Sequence, residues 1–112
     1  MIRIEFTPEA LCDLESIRDY IKSSFGQDTA TKNLSIVMRE IKTLKQFPQK
    51  GSGIWERYGI DSDYRYFYSN MNYVFYRVED DVVKIIRVLD ARRDFLSILF
   101  GKKQNNNEEE TE

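Results

Sequence analysis

Histidine is absent from the 112 residues of this chain, and cysteine occurs once, as Cys12. Without an imidazole, Ser-His and Cys-His nucleophilic arrangements are excluded, and a structural zinc site lacks its usual ligands. A single cysteine forms no internal disulfide, and its simplest role in a helix is that of a small buried hydrophobic residue. Any acid or base must be Asp, Glu, Tyr, Lys or a water that they hold, and we expect no metal and no cofactor.

Long apolar segments are missing as well. No run of about 18 apolar residues occurs, and no charged start leads into an apolar stretch with a small-residue cleavage site. We therefore expect a cytoplasmic protein with no membrane association. The length suits one domain, which we place at residues 1–100.

An excess of either charge is missing from residues 1–100, because the whole net charge of −2 lies in the last twelve residues. A balanced domain argues against a broad basic nucleic-acid surface, although local clusters remain possible. Residues 101–112 read GKKQNNNEEETE and contain no apolar side chain. This composition predicts a disordered acidic tail.

The segment from Tyr64 to Phe95 is rich in Tyr, Phe, Val and Ile, with polar breaks at residues 69–70 and 79–81. Such runs bounded by such breaks predict three consecutive strands, a β-meander. Aromatic and basic residues alternate in it, so we expect one sheet face to be core and the other to be polar.

Upstream, residues 2–6 alternate apolar and charged side chains, which predicts a first strand. Thr7-Pro8-Glu9 then predicts a helix start, with a cap, a first-turn proline and a first-turn acid. Its predicted apolar stripe is Leu11, Leu14, Ile17 and Ile21, and Gly26 is its predicted end.

A second helix, which Asp28 is predicted to cap and Pro48 to end, carries the apolar stripe Leu34, Val37, Met38, Ile41 and Leu44. Together the two helices predict an antiparallel helical hairpin. Its basic residues are either a solvated face or part of a positive patch that reaches Lys50 and Arg57.

Residues 49–63 contain three glycines and no periodicity, which predicts a loop in which Trp55 is a packed anchor. Residues 92–100 predict a short final helix with Phe95, Leu96 and Leu99 facing inward.

The order of the predicted strands and helices indicates an α+β domain whose helices cover one face of a mostly antiparallel sheet. The first strand joins this sheet after the hairpin crosses over. We expect the opposite face, rich in tyrosine and arginine, to stay open for a partner.

Three stretches carry a family resemblance: IRIEFTPEALCDLESI at the start, FPQKG at 47–51, and NYVFYRVEDDVVKIIRVLDARRD at 72–94. In this order and spacing they resemble the RelE/ParE superfamily of type II toxin-antitoxin toxins, and the resemblance spans residues 1–100. It implies the fold just described and a cognate antitoxin as partner. It also implies one of two targets: mRNA on the ribosome, cut by RelE-like members, or DNA gyrase, inhibited by ParE-like members.

The RelE-like pattern is matched in part. Arg65 matches the basic residue that the pattern has on the second strand, and Arg92 or Arg93 matches the arginine that the pattern has after the fourth strand. Tyr73 stands where an arginine of the third strand is expected, and Asp90 stands where many members have histidine. Cutting RNA needs clustered cations with an acid or base, so the resemblance implies Arg65, Tyr73, Arg92 and Arg93 as the catalytic set of a ribonuclease.

The two departures argue against a ribonuclease, and we expect a ParE-like toxin that inhibits gyrase by binding. For that function the implied target-binding residues are Arg87, Arg92 and Arg93, while the antitoxin-binding residues stay unassigned. The alternatives are a RelE-like endoribonuclease and an inactive member that acts only with its antitoxin.

Overall fold

The computed structural model describes residues 1–101, so the predicted acidic tail lies outside the described residues except for Gly101. Four helices and five strands follow in the order β1 (Arg3–Phe6), α1 (Pro8–Phe25), α2 (Gln27–Lys42), a 3₁₀ turn (Thr43–Lys45), β2 (Ser52–Gly53), α3 (Ile54–Tyr58), β3 (Arg65–Ser69), β4 (Asn72–Glu79), β5 (Val82–Asp90) and α4 (Phe95–Phe100). Within residues 1–101, no helix has both the length and the apolar character required to cross a bilayer.

The five strands form one sheet in the order β1-β5-β4-β3-β2. The meander β3-β4-β5 is antiparallel, whereas β1 pairs with β5 in parallel, as a strand must after a crossover through two helices. The predicted α+β architecture, with a first strand, a helical hairpin, a meander and a final helix, is confirmed.

The sequence predicts both ends of α1 correctly but not those of α2. The Thr7 hydroxyl accepts the Ala10 N–H at 3.0 Å, and Gly26 follows α1 with φ 97°. Gly26 also precedes α2, so the predicted cap at Asp28 is wrong and that residue lies in the first turn instead. The helix ends at Lys42, before Pro48, because a 3₁₀ turn intervenes.

The hairpin of α1 and α2 packs on one sheet face over Val74, Tyr76, Val83, Ile85 and Val88. On α1 the fully buried contact is Ala10, whereas Leu11 and Cys12 are exposed, so the predicted burial of these two residues is wrong. A small side chain suits this position because the helix lies close to the sheet there.

The opposite sheet face is not open, which corrects the prediction of an uncovered tyrosine and arginine surface. Two short helices, α3 and α4, fold over it and form a second core with Ile54, Phe75, Leu89, Phe95 and Leu96. Tyr66 and Tyr73 pack against this core and are partly buried. The strand aromatics on this face therefore have intramolecular partners.

Trp55 is not the anchor of segment 49–63. Its side chain is 58% exposed, while the preceding residue, Ile54, is fully buried. The segment also contains β2 and α3 rather than loop alone. In a five-residue helix that rests on a sheet, one neighbour faces inward and the next faces solvent, and here the aliphatic side chain is the inner one.

Burial of Tyr66 in the second core, aided by the Tyr58 hydroxyl, raises the pKa of its phenol to about 12. A phenol whose pKa is higher in the folded state than the ordinary value near 10 favours folding below pH 10, and this contribution is lost as the pH rises through 12. We expect Tyr66→Phe to lose less stability than the parent between pH 10 and pH 12. Urea unfolding at both pH values tests this, and equal losses in both proteins contradict it.

Candidate functional site

A groove of about 900 Å³ opens between the helical hairpin and one end of the sheet. Its helical wall comes from the second half of α1 and the first turns of α2. Its other wall comes from the β3–β4 turn, the end of β5 and the residues just after it. The apolar and aromatic side chains along it are Ile17, Tyr20, Ile21, Phe25, Met71 and Val88.

Three of these side chains are more than half exposed: Tyr20 at 56%, Phe25 at 65% and Met71 at 57%. Adjacent exposed apolar side chains in one concave surface are typical of a site that another molecule covers. This groove is therefore the best candidate for a functional site on the described part of the chain.

Asparagines set the shape of the groove at the β3–β4 turn. The Asn70 amide donates to the side-chain and backbone oxygens of Asn33 on α2, and the Asn72 amide donates to the Asn70 carbonyl at 3.1 Å. Asn70 and Met71 have φ 50° and 74°, as a tight two-residue hairpin turn requires. Because a positive φ is uncommon for a methionine, this turn presents Met71 at some conformational cost.

Asp90 and Arg92 form an ion pair at the mouth of the groove. The Arg92 guanidinium donates to both Asp90 carboxylate oxygens, at 2.9 and 2.7 Å, and the Arg92 backbone N–H donates at 2.8 Å. The guanidinium holds the pKa of the Asp90 carboxyl below its ordinary value, and Asp90 together with the Tyr20 hydroxyl raises the pKa of Arg92. This pair therefore stays ionised over the physiological pH range.

Arg93 lies beside this pair and is exposed. Among the described residues, no carboxylate lies within 4.0 Å of its guanidinium. The mouth of the groove thus has one neutralised arginine and one that is available to a partner.

Arg87 belongs to a different arrangement. Its guanidinium donates to both oxygens of Asp13 on α1, at 2.7 and 2.9 Å, and the Val88 N–H donates to the same carboxylate at 2.9 Å. The side chains are only 24% and 10% exposed. The register of β4 and β5 shifts here, since Phe75 is opposite Arg87 and Tyr76 is opposite Ile85. Arg87 therefore joins α1 to the irregular part of β5.

The four residues implied for a ribonuclease are not brought together. Arg65 lies opposite Tyr76 on β4. Tyr76 is four positions from Asn72, which lies at the groove end of that strand, so Arg65 is about 13 Å from the groove along the sheet. Its guanidinium donates to the Gln49 and Gly51 carbonyls at 3.1 and 2.6 Å. Arg65 thus stabilises the segment before β2 through these hydrogen bonds, and it lies far from Arg92 and Arg93.

Tyr73 lies on the other side of the sheet from that guanidinium. Its ring packs 5.3 Å from Phe95 and 5.6 Å from both Tyr66 and Tyr68, measured between centroids. Within residues 1–101 no group of three or more acidic or cysteine side chains converges as metal ligands would.

Comparison with known proteins agrees with this architecture. The family model described as the ParE toxin of the type II toxin-antitoxin system parDE matches residues 4–95. The chain belongs to the ParE toxin family. The predicted membership of the RelE/ParE superfamily is thereby confirmed, and the chain is a toxin of the type II toxin-antitoxin class.

Solved structures show the same fold. A chain of the chromosomal ParDE TA system from P. aeruginosa superposes with a TM-score of 0.68 and 22% identity, over 80% of this chain and 96% of that one. A chain of the E. coli DinJ-YafQ complex gives a TM-score of 0.52 and 13% identity, over 90% and 100% of the two chains. No curated protein sequence matches significantly.

Several groove residues of this ParE family member are not among the site residues that the sequence predicts. Tyr20 and Phe25 had a usable signal, because both are large aromatics outside the predicted apolar stripe of α1. Asn33 and Met71 had none, since their place in the groove depends on the contact between α2 and the β3–β4 turn.

Proposed function

We propose that this ParE family member inhibits DNA gyrase by binding it, and that a cognate antitoxin neutralises it by occupying the groove. The observation that carries the proposal is the groove itself, in which exposed apolar side chains meet the free guanidinium of Arg93. Such a surface suits recognition of another protein, since interfaces favour aromatics, Met and Arg at their centre.

The distribution of polar groups supports a binding protein rather than a ribonuclease. Cleavage of RNA needs an acid or base and clustered cations around one phosphate. Here Arg65 is engaged by backbone carbonyls, Tyr73 is packed among aromatic rings, and the sheet separates them. Arg92 and Arg93 lie at the groove without either of them.

The groove also suits the antitoxin. An amphipathic helix or an extended segment laid along α1 would cover Tyr20, Phe25 and Met71, and a carboxylate on it would pair with Arg93. Both solved structures named above come from toxin-antitoxin systems or complexes, which supports an antitoxin partner for this chain.

The target is tested by induced expression and by purified gyrase. Gyrase inhibition predicts persistent double-strand breaks with intact mRNA in cells, and loss of supercoiling activity when the protein is added to gyrase of the same organism. Cleavage of ribosome-bound mRNA at codon positions with undamaged DNA would instead establish the RelE-like alternative. No growth effect at full expression would mean an inactive member that acts only with its antitoxin.

Replacing both groove arginines, as Arg92→Ala with Arg93→Ala, is expected to relieve toxicity and leave the fold intact. The Arg92 side chain is 71% exposed, so the ion pair that is lost lies at the surface and is screened by solvent, and its loss should leave the fold stable. Colony counts after induction and a thermal melt measure the two effects.

The matched control is Arg3→Ala with Arg18→Ala, which removes two exposed, ion-paired arginines elsewhere and changes the net charge equally. The control should remain as toxic as the parent. Undiminished toxicity of the Arg92 and Arg93 variant would show that target recognition lies elsewhere.

A further inference from the structure

We propose that the solvent face of α2 and of the 3₁₀ turn after it binds the phosphate backbone of duplex DNA. Four exposed cations lie there: Lys32, Arg39, Lys42 and Lys45, which we call the α2 stripe. Although residues 1–100 have no excess charge, cations outnumber acids on this surface, where Asp28 precedes Lys32 by one turn.

Helix geometry places three of the four cations of the α2 stripe on one side. At 3.6 residues per turn, Lys32, Arg39 and Lys42 fall within a sector of about 80°, opposite the buried Val37 and Ile41. The distance from Lys32 to Lys45 along the axis is about 20 Å at 1.5 Å per residue. Three of the charges therefore lie along one side of α2, and Lys45 follows them in the 3₁₀ turn.

None of the four is neutralised within residues 1–101, where no carboxylate lies within 4.0 Å of their charged atoms. The two acids of α2 are Asp28, one turn before Lys32, and Glu40, whose carboxylate is taken by Lys50 at 3.0 Å. Of the eleven cations elsewhere in the described chain, seven have a carboxylate partner (Arg3, Arg18, Lys50, Arg77, Lys84, Arg87 and Arg92), and the other four, Lys22, Arg57, Arg65 and Arg93, do not lie together on one helix.

The helix dipole accounts for part of this pattern. Cations in the last turn of a helix, here Arg39 and Lys42, interact favourably with the helix dipole. Lys45 lies in the last turn of the 3₁₀ helix that continues α2, so it too is near the carbonyl end. Lys32 lies in the second turn of α2, and it is the one cation of the stripe whose position the dipole does not favour.

Charge complementarity points to a polyanion with regularly spaced charges, and duplex DNA carries one negative charge per ~1.7 Å of its axis. Binding of single strands would need aromatic platforms for the bases. No aromatic residue occurs between Gln27 and Lys45, so the stripe can contact phosphates but cannot stack bases. If gyrase is the target, which rests on the proposed function, the stripe would add a contact to the DNA that gyrase holds.

The test measures binding of the full chain to a fluorescein-labelled 20-base-pair duplex by anisotropy over a series of salt concentrations. Four phosphate contacts predict a slope of about −3.6 for the logarithm of the association constant against that of salt. The variant Lys32→Gln, Arg39→Gln, Lys42→Gln, Lys45→Gln should reduce the slope nearly to zero, and Lys32→Gln alone should reduce its magnitude by about 0.9.

The control variant carries Arg3→Gln, Arg18→Gln, Lys22→Gln and Lys84→Gln, which remove the same charge from other surfaces. It should keep the parental slope. Equal losses in both fourfold variants, tighter binding of a single strand than of the duplex, or binding of polyglutamate without binding of the duplex would each overturn the proposal.

Gyrase is absent from this assay, so the inference and the proposed function can fail separately. Stripe-dependent duplex binding without gyrase inhibition would contradict gyrase as the target and support the DNA site. Gyrase inhibition by a protein that binds no duplex would support gyrase as the target and contradict the DNA site.

Discussion

Asp13→Ala is expected to lower the free energy of unfolding by about 3 kcal/mol, since breaking a buried ion pair by removing one partner typically costs 3–5 kcal/mol. The carboxylate receives three hydrogen bonds, two from Arg87 and one from the Val88 N–H, and its side chain is 10% exposed. Removing it leaves a guanidinium and a backbone donor without their acceptor in a mostly buried place. The residual exposure of Arg87, at 24%, puts the loss at the lower end of that range.

For a domain of this size such a loss corresponds to a fall in melting temperature of about 12–24 °C. The matched control is Asp19→Ala on the same helix, where the carboxylate is 65% exposed and pairs with Arg18 at 3.3 Å. It should change stability by less than about 0.5 kcal/mol. The double variant Asp13→Leu with Arg87→Met should recover much of the loss, because it removes both charges together. Equal melting temperatures for Asp13→Ala and Asp19→Ala would contradict this account.

This ion pair also affects how Arg87 is to be tested as a target-binding residue. An Arg87→Ala variant removes the partner of a buried carboxylate, so lost toxicity in that variant would report unfolding as readily as a lost contact. Arg92 and Arg93 do not have this difficulty, since both are exposed. Their prediction as target-binding residues can therefore be tested without disturbing the fold.

Phe95→Ala is expected to lower the free energy of unfolding by about 3–4 kcal/mol, because truncating a buried phenylalanine loses apolar contacts and leaves a cavity. Phe95 is 4% exposed, and its ring lies 5.1–5.9 Å between centroids from Phe75, Tyr73, Tyr58 and Tyr66. Phe95 and Leu96 are the two buried side chains of α4, and both belong to the second core. Chemical unfolding with an unchanged denaturant slope would measure the loss.

Ile98→Ala is the matched control, because Ile98 lies on the same short helix and is 36% exposed. It should cost less than about 1 kcal/mol, since little apolar area is removed from water there. A Phe95→Ala protein as stable as the control would mean that α4 does not hold the second core in solution.

Local signals were sufficient for most of the architecture. The meander, the Thr7 cap and the Gly26 helix end depend on residues close together in sequence, and these predictions were confirmed. The ordered resemblance at residues 1–100 led to the correct family. These features are read from period, turn residues and spacing, which a single sequence contains.

Features that join distant segments were not predictable in the same way. In α3, five residues give fewer than two turns, so no periodicity distinguishes Ile54 from Trp55 as the buried residue. The partner of Arg87 lies 74 positions away, and nothing near Asp13 in the sequence identifies it. The groove combines four separate segments, so its members can be listed only once the chain is folded.

The parallel pairing of β1 with β5 has a consequence for synthesis of the toxin. On a translating ribosome, β1 and the helical hairpin leave first, yet the strands that they pack against, β4 and β5, end only at residue 90. Until then β1 lacks the strand with which it pairs. The groove, which β5 and the residues after it help to form, therefore takes shape only after residue 93 has been made.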